Sequence, residues 1–141
     1  MKELDSKDIQ LLSMLQKNGA VSSTDLSGFL GLSASQVSRR RQRLEADGYI
    51  SGTAVRLNPA KIGLSVQAFI QVQMQAHSGS GHAAIEALIR SQPEITSAWT
   101  LTGEADYLLR VYCENLRALN RLIQNVLLQH PAIGRVQSQV V

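Results

Sequence analysis

The segment Val21–Gly52, VSSTDLSGFLGLSASQVSRRRQRLEADGYISG, constrains the fold more than any other stretch of this 141-residue chain. Its punctuation divides it into two short helices and one tight turn. Ser22 is a predicted N-cap with Asp25 three residues on, where a carboxylate also complements the positive helix end. Leu26, Phe29 and Leu30 recur at helical spacing and are expected to form a buried stripe. Gly31 is suited to the left-handed conformation that stops a helix. Ser33 and Gln36 have the Ser-x-x-Gln spacing of a capping box, so a second helix opens two residues after the first closes, and Asp47-Gly48 ends it. So short a connection holds two helices at a steep angle, which is the geometry of a helix-turn-helix.

At 100° per residue, Val37 and Leu44 of the second helix fall within about 20° of each other and define its buried side. Ser35, Arg39, Gln42 and Ala46 lie opposite, with Gln36, Ser38 and Arg43 on the flanks. An outward face of short polar residues, glutamine and arginine suits base edges, since arginine pairs with guanine and glutamine with adenine. Arg40 and Arg43 are better placed for phosphate, and Ser33, at the helix N-terminus, completes the candidate DNA contacts. Arginines on an exposed helix are by default only solvated. The capped helix-turn-helix context is what favours double-stranded DNA here. Arg41 sits about 50° from the centre of the buried stripe, so either it snorkels to the edge or the helix is rotated from this placement.

A preceding helix is expected, with Asp5 as N-cap, Asp8 in the first turn, Ile9, Leu12 and Leu15 as its stripe, and Asn18-Gly19 as its stop. After Gly48, YISGTAVRLNP is extended in character and reads as a wing; Arg56 is in reach of a DNA backbone from there, although a single exposed arginine is more often inert. Asn58-Pro59 and Gly63 mark a boundary. The expected organisation is a winged helix-turn-helix over 1–57, a linker over 58–63 and a second domain over 64–141.

In the second domain the period changes to two. Val66, Ala68, Ile70, Val72 and Met74 line one face of a strand, and Gln67, Phe69, Gln71 and Gln73 the other. That second face is polar but uncharged, which suits a surface covered by a partner. The loop AHSGSGH leads to a helix around His82 to Ser91 bearing Ile85, Leu88 and Ile89. ITSAWTLT and YLLRVYCE form a hairpin about Gly103-Glu104-Ala105-Asp106. Asn115 caps a long helix bearing Leu119, Leu122, Ile123, Val126 and Leu127, and RVQSQVV is a last strand. The order βαββαβ predicts a ferredoxin-like antiparallel sheet with two helices on one face, so the fold class is α+β.

The net charge of +3 is spread thinly, with eight Lys/Arg against six Asp/Glu in residues 1–57. Any nucleic-acid signal therefore lies in the Arg39–Arg43 cluster and not in overall basicity. The single cysteine, Cys113, excludes an internal disulfide and a thiolate-rich zinc site, and its apolar setting reads as a small buried hydrophobe. Three scattered histidines, His77 and His82 in a loop and His130 at a helix end, make a poor metal set. No signal peptide or membrane span is legible, so the expected location is cytoplasmic and no cofactor is expected.

LDSKDIQLLSMLQKNG, GLSASQVSRRRQRLEADGYI, LNP and LTGEADYLLRV, in this order and spacing, resemble the Lrp/AsnC family of bacterial and archaeal transcription regulators, essentially end to end. The resemblance implies a second domain related to small-molecule-binding ACT domains, whose open sheet face pairs with a second subunit. It also implies homodimers that assemble into rings of four dimers, an octamer. An amino-acid effector is implied near the Gly-x-x-Asp turn, which points to Gly103 and Asp106, with Thr102 beside them and Ser138 on the last strand. By spacing alone Gly-x-x-Asp is a hairpin turn.

The chain departs from the family pattern at Arg41, where an apolar residue is usual, and it stops at Val141, where relatives tend to continue. The superfamily includes siroheme decarboxylases, which work through histidine and arginine, but no histidine here has that setting, and no enzyme is expected. Two alternatives remain. An architectural DNA-binding protein would lack an effector, and a protein adaptor would show no DNA sequence preference.

Overall fold

The computed structural model describes residues 3–75 and 81–141, and the chain divides into two units, Met1–Arg56 and Leu57–Val141. The first is trihelical, with α1 (Ser6–Lys17), α2 (Ser23–Leu30) and α3 (Ala34–Ala46). All three helices begin at caps legible in the sequence. Asp5 and Ser33 each complete a capping box, with Asp8 and Gln36, while the Ser22 hydroxyl accepts from the Asp25 N–H. Gly31 ends α2 at φ 63°, in the left-handed region where a Cβ would be strained. Lys7 reaches from α1 to donate to the Leu30 carbonyl at 2.6 Å, satisfying an orphan acceptor at the α2 terminus.

Leu11, Leu26, Leu30, Val37 and Leu44 form the core of this unit, with Leu12, Leu15, Tyr49 and Ile50 packed around it. Two expectations fail on exposure. Phe29 is 77 % exposed, because Leu26 and Leu30 already align α2 and residue 29 lies about 100° round from Leu30. Ile9 is 57 % exposed and Leu11 takes its place inside. The cause is Asp8, only 1 % exposed, which rotates α1 so that positions 8, 11 and 15 face inward.

Asp8 is buried because α3 supplies its counterions. Its carboxylate accepts from Arg40 Nη1 at 2.7 Å and Arg43 Nη2 at 2.5 Å, and from the Asp5 N–H at 3.1 Å. Asp5 takes a second bond from Arg40 Nη1 at 2.6 Å. The cap of α1 is thus also a two-carboxylate clamp on two arginines of α3. The expected wing lacks strands, since residues 51–58 are irregular and Val55 and Leu57 are exposed. With no partner strand to pair with, their extended propensity yields no ladder.

In the second unit a 3-10 turn at Ala60–Ile62 leads to β1 (Val66–Met74), α4 (Gly81–Ser91), β2 (Ile95–Thr100), β3 (Tyr107–Cys113), α5 (Leu116–Arg121) and β4 (Ile133–Val140). The antiparallel order β2-β3-β1-β4 is the expected ferredoxin-like sheet. Ala68, Ile70, Val72, Leu109 and Val111 fill the helix-covered face, with Ile85 and Ile89 from α4 and Leu119 from α5. Cys113 is buried as expected, and burial, then Glu94, pushes its thiol pKa up. The long helix after Asn115 does not stay α-helical, because Leu122–Leu127 forms a π turn with Leu128 N–H bonded to Ile123 O at 2.9 Å. Its wider repeat brings Leu122 and Leu127, five residues apart, onto the same core.

The Arg40 guanidinium, together with the Asp8 N–H, holds the Asp5 carboxyl at about 2 against an ordinary 3.8. Burial pushes the Asp8 pKa up, but bonds from Arg40, the Asp5 backbone and Arg43 outweigh it, and the net shift is downward. Carboxyls depressed in the folded state stabilise it above their ordinary pKa, and that stabilisation is lost as pH falls toward the folded value. The stability of this unit, read from amide exchange in α1 and α3, is therefore expected to hold from about pH 7 to 5 and to drop between about pH 4 and 2. The gap between wild type and Arg40→Gln should close over the same window. A gap that persists undiminished at low pH would remove the clamp as its source.

Candidate nucleic-acid interface and effector turn

The side of α3 opposite Val37 and Leu44 carries Ser35, Arg39, Gln42 and Ala46, and all four are exposed. Ser33 and Gln36 are exposed at the helix start but engaged in its capping box, with Ser33 N–H donating to Gln36 Oε1 at 2.9 Å. Ser38 is half-buried on the flank. Arg39 lies back along the helix, its Nε donating to the Ser35 carbonyl at 3.4 Å, and has no ion pair among the described residues. Leu32, Gln36, Arg39, Arg40 and Arg43 line an open cleft of about 330 Å³. The helix-turn-helix thus presents amide, hydroxyl and guanidinium donors on a single convex rod, a shape that enters a DNA major groove.

Arg40 and Arg43 are not free solvated cations, since Asp8 and Asp5 hold them on one flank. The sequence marks Asp5 only as an N-cap and Asp8 only as an acid in the first turn of α1. The missed signal was an acid at the third position of α1 facing arginines three apart on another helix. Arg41 does snorkel, with Nε to Glu45 at 3.1 Å and Nη2 to the Gly19 carbonyl at 3.4 Å, so α3 needs no rotation to accommodate it.

In the second unit, Thr102 and Gly103 are exposed in the turn between β2 and β3, with Gly103 at φ 154°. Asp106 is half-buried and already employed. Its Oδ2 accepts from Met74 N–H at 2.7 Å and its own N–H donates to Val72 O at 2.9 Å, tying the turn to the end of β1. Ser138, on β4, pairs with Ile70 of β1, two strand spacings or about 10 Å from β3, and within one chain no bond joins it to the turn among the described residues. The other sheet face runs in rows across β2, β3, β1 and β4: Trp99, Leu108, Gln71 and Gln137, then Arg110, Phe69 and Gln139. Tyr112 and Gln67 extend it.

Of the histidines, His77 lies outside the described residues. His82 lies in the first turn of α4, in line with the helix expected around His82 to Ser91, with Nδ1 2.8 Å from the Tyr107 hydroxyl. His130 Nδ1 accepts from Ala132 N–H at 3.3 Å. Among the described residues no group of His, Cys, Asp and Glu is arranged to hold a metal, and no helix is long and apolar enough to cross a membrane.

Residues 4–51 match a winged helix-turn-helix DNA-binding model and residues 67–141 the Lrp/AsnC ligand-binding domain model. The chain is 33 % identical over 138 residues to the Bkd operon transcriptional regulator of Pseudomonas aeruginosa, covering 98 % of this chain and 90 % of that one. It is 30 % identical to the leucine-responsive regulatory protein of Salmonella typhimurium, covering 99 % and 85 % respectively. Among solved structures it is similar to a transcriptional regulator of Neisseria meningitidis in complex with L-Met, with TM-score 0.93, 34 % identity and coverage of 99 % and 90 %. Together with the capped helix-turn-helix and the βαββαβ sheet, these matches make the chain a member of the Lrp/AsnC family and a DNA-binding transcription regulator.

Proposed function

We propose that α3 reads DNA bases through Ser35, Arg39 and Gln42, while Ser33, Gln36 and Ser38 bond the backbone beside them. Arg40 and Arg43 offer phosphate the N–H groups that Asp5 and Asp8 leave unused. The observation that carries this reading is Arg39, exposed and without an ion pair among the described residues, at the centre of a face with no apolar residue larger than Ala46. The protein acts as a regulator and not as an enzyme, in keeping with its relatives, and a DNA ligand puts it in the cytoplasm.

A second copy covers the open sheet face as a homodimer, which spaces two recognition helices for a roughly palindromic site. Support comes from the rows of uncharged glutamines around Phe69, Leu108, Trp99 and Tyr112, which are too apolar for an isolated surface. Such dimers associate further toward an octamer. An amino acid binds near the Thr102-Gly103 turn, where Asp106 supplies negative charge to an α-ammonium and the Gly103 backbone admits close approach of a carboxylate. Ser138 joins that site from a neighbouring subunit, because within its own chain it is remote from the turn. The L-Met in the Neisseria relative supports this ligand class.

Arg39→Ala is expected to weaken binding to a selected operator by about 10- to 100-fold, the worth of one bidentate base contact, and to weaken random DNA far less. Equal losses on both would remove Arg39 from base reading. Phe69→Glu should turn the dimer into a monomer in sedimentation experiments; an unchanged dimer would move the interface elsewhere. Asp106→Asn keeps an acceptor for the Met74 N–H but loses the charge, so the thermal shift given by L-methionine should disappear while DNA affinity without effector stays within about threefold. A normal shift would relocate the pocket, and no shift from any amino acid with wild type would favour an effector-independent regulator.

A further inference from the structure

Of the four arginines on α3, three have a carboxylate partner. Arg40 and Arg43 are held by Asp8 and Asp5, and Arg41 by Glu45; Arg39 alone has none among the described residues. Four unmatched guanidiniums within five positions would bind any duplex tightly, because each phosphate neutralised adds affinity without regard to sequence. We propose that Asp8, supported by Asp5, is a specificity-determining positioning residue: it matches the charge of Arg40 and Arg43 and fixes their direction, so that indiscriminate phosphate attraction is held down and Arg39 and Gln42 decide where the protein binds.

The geometry favours this over a merely structural ion pair. Asp8 comes from a different helix, α1, and takes one bond from each of two arginines instead of both from one. Asp5 adds a second acceptor at the same Arg40 nitrogen, 2.6 Å away, so the two carboxylates and two guanidiniums sum to zero charge beside the exposed face. Both arginines also line the cleft next to Arg39 and Gln36, where freed side chains would meet a DNA backbone.

The inference rests on α3 as the reading helix, and one experiment separates the two. A duplex selected from a random pool by the wild-type full-length protein is compared with a scrambled duplex of the same composition over a range of salt. For Asp8→Asn, which keeps an acceptor for the Asp5 N–H, affinity for scrambled DNA is expected to rise about fivefold or more, with the salt slope steeper by about one. The selected-to-scrambled ratio should fall about tenfold. Adding Arg40→Gln to Asp8→Asn removes the freed charge and should recover most of that ratio. Should Asp8→Asn fold poorly, Asp5→Asn, at the half-exposed carboxylate, is expected to change the same quantities in the same direction by a smaller amount. Parallel loss on both duplexes with an unchanged slope, and no recovery in the double variant, would overturn the proposal. Wild type without sequence preference would instead overturn the base-reading assignment, whereas a preference that Asp8→Asn leaves intact would overturn the role of Asp8 alone.

Discussion

The first unit is organised around one desolvated carboxylate. Burying an ionised group costs several kcal/mol unless paired and hydrogen-bonded, so Asp8 is tolerable only where Arg40 and Arg43 meet it. That requirement fixes two things at once. It turns α1 so that Leu11 goes inside and Ile9 out, and it sets the rotation of α3 about its axis. A shift of α3 by one residue would move both arginines about 100° away and strand the carboxylate. The same slip would carry Val37 and Leu44 out of the core, so packing and charge pairing select one rotation of α3.

Local rules were legible and tertiary ones were not. Ser22, Gly31, Ser33 and Asp5 act on groups within a few residues, so their types and spacings suffice to mark helix ends. The period-two run Val66–Met74 likewise carries its own face assignment. Phe29 was misread because helical spacing identifies neighbours of the stripe as well as its members, and an eight-residue helix has room for only one inner row. The π turn was hidden for a related reason: Leu122 and Leu127 share a face only once the repeat widens, and nothing local announces that widening.

At the candidate sites the same division holds. The outward set Ser35, Arg39 and Gln42 follows from the helix period once Val37 and Leu44 are inside. The engagement of Arg40 and Arg43 does not, since their partners lie more than thirty residues away. Asp106 shows the converse. Its place in a Gly-x-x-Asp turn is visible in the sequence, yet its bond to the Met74 N–H depends on β1 lying beside β3. A residue that ties a turn to a strand end is well placed to present charge at a fixed spot, because its side chain has already lost its freedom.

The two faces of the sheet differ in how completely they are covered. Its helix-covered face is complete, with aliphatic residues from four strands meeting α4, α5 and the π turn. The opposite face repeats Gln67, Gln71, Gln73, Gln137 and Gln139 in cross-strand rows around Phe69, Leu108 and Tyr112. Glutamine both donates and accepts, so a glutamine face is complementary to a copy of itself in a way that a face of one charge sign is not. Arg110 fits the pattern because its guanidinium is turned along the sheet to Ser97 at 2.9 Å instead of outward. Arg135, opposite Gln73, is the exposed cation at the end of these rows. Glutamine rows set around aromatic side chains suit a two-fold interface, in which the same patch must serve both partners.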